Sequence, residues 1–353
     1  MANNIHETLN PQKIFDIFAS NTSTRIVNGE CSGILNWNKI RMPEMYRLYK
    51  VLMQNHWIAD EIPMNEDASN FPNLTDRERD AFKKIIGLLA VLDSMQTMYC
   101  GDVKEYVTDS SFQAIFSIIG QQEVVHNQSY SYVLSSLVSD DEQTEIFEYW
   151  KHDKVLLERN LFIRDMYQDF IENPTPFTFF KSLIADMILE GIFFYAGFAF
   201  FYNLCREHRP KEHRMMATQQ MISYIQRDEG QHVHAFASVF KLLLEDYPEL
   251  KEFIPMVYEL IDKAVQLEVA WARHTIYDID GIDLDEFEDY MRFVANKRLR
   301  LMGLEKAYEG VGNSMAWIRP YSDETLNDTK TDFFEGKSRN YAKASSDNGW
   351  DDL

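Results

Sequence analysis

Residues 183–204 read LIADMILEGIFFYAGFAFFYNL. A run of this length and apolarity is long enough to cross a bilayer as a helix, yet Asp186 and Glu190 lie inside it. A carboxylate in an apolar helix is costly unless it is paired or bound to a metal. In an acidic chain this stretch therefore reads as a buried core helix and not as a membrane span. The same anomaly recurs at Asp93 within IIGLLAVLDSMQTMYC (85–100) and at Glu123 within FSIIGQQEVVH (116–126).

Working outward, apolar residues fall at helical spacing over Asp80 to Cys100, Phe112 to Leu137, Thr178 to Cys205, Lys211 to Leu244 and Ile254 to Trp271. Glycine and proline are sparse, 14 and 10 in 353 residues, which predicts an all-α chain. Pro174 and Pro176 mark the end of one helix and the start of the next. No Pro/Gly/Ser-rich linker divides these segments, so residues 1–320 read as a single helical domain, with 1–35 a partly irregular N-terminal arm. Residues 321–353 are polar with isolated aromatics and read as a flexible tail.

The 35 basic and 56 acidic residues leave a formal charge of −21. A surface this negative repels phosphate backbones and excludes nucleic acid as a ligand, while metal cations remain open. Cys31, Cys100 and Cys205 form neither a zinc pattern nor a disulfide framework, and Met1 to Ser20 lack the pattern of a secretory signal. The expectation is a cytoplasmic protein.

Of nine histidines, two follow a glutamate by three residues: Glu123-Val124-Val125-His126 and Glu229-Gly230-Gln231-His232. Residues i and i+3 share a helix face, so each motif offers an oxygen and a nitrogen to one point. Asp93 precedes the first motif and Glu190 the second. The order carboxylate, Glu-x-x-His, carboxylate, Glu-x-x-His on successive helices is an internal pseudo-repeat. It is the ligand pattern of ferritin-like bundles that hold two iron or two manganese ions. Four carboxylates balance the charge of two divalent ions, and mixed oxygen and nitrogen donors suit iron or manganese better than thiolate-preferring metals.

Tyr130 lies one turn beyond His126 on the same face; it reads either as packing or as a residue that a metal centre could oxidise. LDSMQ (92–96), EVVHNQSY (123–130), LEGIFFYAGF (189–198) and RDEGQH (227–232) together resemble the small, radical-generating subunit of class I ribonucleotide reductase. NHWIADEIPM (55–64) and TDFFEGKSRNY (331–341) extend the resemblance from about residue 35 to the C-terminus.

The resemblance implies a homodimer in which Asp93, Glu123 and His126 hold one metal ion and Glu190, Glu229 and His232 the other, with Glu123 and Glu229 bridging. It implies a radical on Tyr130, sheltered by Phe194, Phe198 and Ile225. It further implies an electron route through His126, Asp228 and Trp57, then Tyr341 in the tail, to a large catalytic subunit on which the tail docks and where ribonucleotides are reduced. Asp228 precedes Glu229 and reads as a partner for the His126 ring, or as an ordinary ion pair with Arg227; Trp57 without its motif reads as core. Asp93 with Tyr130 resembles the tyrosyl-radical form, and a flavodoxin-like activating protein is implied if manganese is used. Two further readings are a dinuclear-metal monooxygenase or desaturase-like oxidase, and a non-catalytic ferritin-like iron-binding protein.

Overall fold

The computed structural model describes residues 4–322. Residues 4–36 contain no helix and lie against the body, with the Leu9 amide on the Pro174 carbonyl and the Gln12 amide on that of Glu105. Eleven α-helices follow among the described residues: α1 Glu44–Gln54, α2 Asn65–Asn70, α3 Asp76–Tyr106, α4 Ser110–Leu137, α5 Asp140–Glu148, α6 Lys154–Glu172, α7 Pro176–Leu189, α8 Tyr195–Asn203, α9 Met216–Asp246, α10 Ile254–Thr275 and α11 Leu284–Leu301. The β structure among these residues is one isolated bridge, Val27 to Val107. No helix among them is long and apolar enough to cross a membrane.

The helix starts follow local chemistry. Thr75 and Glu78 form a capping box on α3, Asp109 accepts from the Ser111 amide at the start of α4, and Thr175 with Pro176 at the first position opens α7. Three long rods, α3 and α9 with 31 residues each and α4 with 28, frame the core. Asp93, Glu123 with His126, and Glu229 with His232 lie near their midpoints. These polar groups are therefore about 20 Å from a helix end at 1.5 Å per residue, in the most water-excluded part of the fold.

The stretch 183–204 is buried, as its composition predicts, but it is not one helix. α7 stops at Leu189, and residues 190–194 form turns before α8 begins. The amides of Ile192 and Phe193 both reach the Ile188 carbonyl at 3.0 Å, a wide turn that frees the carbonyls beyond it. Arg298 Nε donates to the Gly191 carbonyl at 3.0 Å, Arg159 donates to the Phe193 carbonyl, and Glu268 Oε1 accepts from the Ala196 amide at 2.8 Å. Arg159 and Glu268 pair with each other, Nε to Oε2 at 3.0 Å, both fully buried. Charges from α6, α10 and α11 thus satisfy the backbone that the break exposes. All nine residues of α8 are buried, as expected of a helix apolar all round.

Candidate metal centre

Asp93, Glu123, His126, Glu190, Glu229 and His232 are each at most 2% exposed, and the structure brings all six together. Ligand-type atoms of Glu123, Glu190, Glu229 and His232 lie within 4.8 Å of one another, and so do those of Asp93, Glu123 and His126. Glu123 belongs to both groups. Glu229 also spans them, with Oε2 3.1 Å from His232 Nδ1 and Oε1 3.2 Å from His126 Nδ1. The two imidazoles lie 5.9 Å apart and each turns Nδ1 toward the carboxylates.

Charge in this cluster is poorly compensated by protein donors. Both oxygens of Asp93 and of Glu123, with Glu190 Oε2, Glu229 Oε1 and His126 Nδ1, lack a hydrogen-bond partner. Burial, then the charges of Glu123 and Glu229, push the Asp93 carboxyl well above the usual range. Burial pushes Glu190 up to about 8 against the pull of His232. For Glu123 the burial penalty is outweighed by the two imidazoles, and its carboxyl lies below the usual value. Burial disfavours the charged forms of His126 and His232, but the surrounding carboxylates prevail and hold both well above the ordinary imidazole value. Convergent buried carboxylates without donors are the arrangement that divalent cations satisfy, and the oxygen and nitrogen set fits two such ions.

Tyr130 is 1% exposed and lies in one core with Phe194, Phe198 and Ile225. Its hydroxyl makes no well-formed hydrogen bond. Burial, then Asp93 and Glu229, hold the phenol well above its usual pKa, so it stays protonated.

On the far side of His126, Asp228 Oδ2 accepts from Trp57 Nε1 at 2.9 Å and lies 3.4 Å from His126 Nε2. Its Oδ1 accepts from Arg227 at 3.0 Å, so both sequence readings of Asp228 describe real contacts, one on each oxygen. The Trp57 ring lies against His126 at 6.1 Å and edge-on to Tyr224 at 5.5 Å. Tyr341 and the tail from residue 323 lie outside the described residues.

Several residues around the site escaped the sequence reading. Gln96 donates to both Asp186 and Glu190 and accepts from the Tyr167 hydroxyl at 2.8 Å, which gives one oxygen of the buried Asp186 a partner and leaves the other without one. Gln122 accepts from His232, Nε2 to Oε1, at 3.0 Å. The pseudo-repeat carried a signal for this residue, since Gln122 precedes Glu123 as Asp228 precedes Glu229. No comparable signal marks Tyr224.

Four carboxylates and two imidazoles buried in the bundle define a ferritin-like helical protein whose core offers a set of groups that could hold metal. The family described as "Ribonucleotide reductase, small chain" matches residues 34–314. The chain belongs to this family and has the activity of a ribonucleoside-diphosphate reductase small subunit, which works with a large subunit. It is 53% identical to the ribonucleoside-diphosphate reductase subunit beta of Halalkalibacterium halodurans, over 98% of this chain and 100% of that one. The ribonucleotide reductase R2 subunit of Clostridium botulinum superposes with a TM-score of 0.84 at 33% identity, over 89% of this chain and 99% of that one. Dimanganese(II)-NrdF of Streptococcus sanguinis superposes with a TM-score of 0.69 at 25% identity, covering 81% and 97%.

Proposed function

We propose that Asp93, Glu123, His126, Glu190, Glu229 and His232 bind two ions of iron or manganese, that Tyr130 carries a radical, and that Asp228, Trp57 and Tyr341 pass its oxidising equivalent to the large subunit for ribonucleotide reduction. The observation that carries this reading is the convergence of carboxylate oxygens lacking donors beside a buried, protonated tyrosine. When bound and oxidised by oxygen or a flavin-derived oxidant, the two ions would supply the oxidising power. The protein's residues do the rest. Glu123 and Glu229 bridge the two halves of the site, and Asp93, once metal binding has displaced its own proton, would take the phenolic proton when Tyr130 gives up an electron. Phe194, Phe198 and Ile225 exclude water and reductant from that ring. Asp228 fixes the His126 ring and links it to the Trp57 indole.

The tail from residue 321 docks on the large subunit and brings Tyr341 to the interface, and the chain works as a homodimer in the cytoplasm. The free thiols of Cys31, Cys100 and Cys205 accord with a reducing compartment. If the ions are manganese, a flavodoxin-like protein supplies the oxidant; the resemblance to a dimanganese protein supports asking the question.

The test is an electron paramagnetic resonance spectrum of metal-depleted protein loaded anaerobically with Fe(II) and exposed to oxygen, beside Tyr130→Phe. The expected result is a radical signal in the wild type that vanishes in the variant. If the spectrum is silent with iron, and again with Mn(II) plus a flavin-derived oxidant, the radical reading fails. Failure to take up any metal removes the site.

A further inference from the structure

The two halves of the pseudo-repeat share one more feature. The residue immediately before each glutamate reaches across to the imidazole of the opposite motif. Asp228, before Glu229, faces His126 Nε2 at 3.4 Å, and Gln122, before Glu123, faces His232 Nε2 at 3.0 Å. Gln122 is 3% exposed, and its amide has only one satisfactory orientation. The Nε2 group donates to the Leu52 carbonyl of α1 at 3.3 Å, which leaves Oε1 facing the imidazole. An acceptor at that position keeps a proton of His232 on Nε2, so Nδ1, 2.9 Å from Glu123 and 3.1 Å from Glu229, is the nitrogen left to give up its proton and present a lone pair when a metal ion binds.

The chemistry of the two partners differs. A carboxylate raises the basicity of the imidazole it holds, whereas a neutral amide orients it without adding charge. Asp228 continues to Trp57 and Arg227, while Gln122 ends on a backbone carbonyl.

We propose that Gln122 is a positioning residue for the metal centre, fixing His232 with Nδ1 toward the ion shared with Glu190 and Glu229 and making that half of the site chemically unlike the half held by His126. The inference rests on the six-residue reading of the metal site.

Mn(II) binding to the full-length chain, followed through the free-ion paramagnetic signal, separates the two. The wild type binds two ions; if it binds none, the six-residue reading itself fails. Gln122→Met keeps the volume and the apolar packing but removes the acceptor, and it lowers the affinity for one of the two ions by about 10–100-fold while leaving the other within about threefold. Gln122→Glu keeps an acceptor for His232 while setting a charge against the Leu52 carbonyl, and it retains both ions. A residue that merely fills space gives the opposite ranking, with Met tolerated and Glu damaging. Two ions bound by Q122M as by wild type overturn the proposal, and so does a folded Q122E that loses an ion as Q122M does. Circular dichroism of each apo variant confirms the fold, and Q122L carries the same expectation as Q122M should the latter not fold.

Discussion

Replacing Glu268 by leucine tests whether the break between α7 and α8 is held by buried charge. Glu268 and Arg159 are both fully buried. Glu268 accepts from Arg159 Nε at 3.0 Å with one oxygen and from the Ala196 amide at 2.8 Å with the other. Leucine strands the guanidinium, at a cost of about 3–5 kcal/mol, and leaves the amide unpaired, at about 1–3 kcal/mol. Together these come to roughly 4–8 kcal/mol, comparable with the whole stability of many proteins. The companion variant Arg159→Met with Glu268→Leu leaves no charge behind but also removes the partner of the Phe193 carbonyl. It therefore recovers about 1–3 kcal/mol relative to the single change, despite carrying one substitution more. Urea unfolding of the metal-free, full-length chain, followed by circular dichroism, measures both. A single variant within about 1 kcal/mol of wild type, or a double variant less stable than the single, would refute the reasoning.

Gly191→Ala places a methyl group 2.3 Å from the Met187 carbonyl and 2.9 Å from Arg298 Nε; it destabilises by about 1–3 kcal/mol and shifts Glu190, seen as weaker binding of one Mn(II) ion. Asp228→Asn weakens the tie among His126, Trp57 and Arg227 while leaving the six metal-site residues in place. It keeps metal content and the Tyr130 signal but lowers deoxyribonucleotide formation with the large subunit at least about tenfold, an expectation sunk if turnover is unchanged. The pH dependence has a definite sign. Asp93, His126 and His232 are raised and Glu190 lies at about 8, so the native metal-free chain keeps protons that the unfolded chain gives up. Its stability falls as pH rises from about 5 to about 8, whereas the lowered carboxyls Glu123 and Asp228 act only below that window. Mn(II) affinity climbs over the same range because the protons must leave, and urea unfolding with Mn(II) titration at both ends of the range checks the pair of slopes.

The helices that could be read from the sequence are those with one polar face or a clear stop, such as α4 and the change from α6 to α7 at Pro174 and Pro176. The six converging residues were legible too, because ionisable groups in apolar helices are expensive and their spacing repeats. The break at residues 190–194 was not legible. A stretch that is apolar all round carries no period from which an interruption can be read, and the groups that hold it open lie in other helices. The roles of Gln96 and Gln122 went unread for a different reason, although the place of Gln122 in the repeat marks it. Glutamine is unremarkable in an exposed helix, and only its position against a buried carboxylate or imidazole makes it consequential.

The interruption beside Glu190 also changes where the centre can be altered. Five of its six residues are carried within continuous helices, so their side chains move only if a whole rod moves. Glu190 instead closes a helix whose following turn is held by Arg159, Glu268 and Arg298, which come from three other segments of the chain. The corner of the site at Glu190 therefore depends on contacts made by three distant segments, whereas the other five residues depend on the rods that carry them.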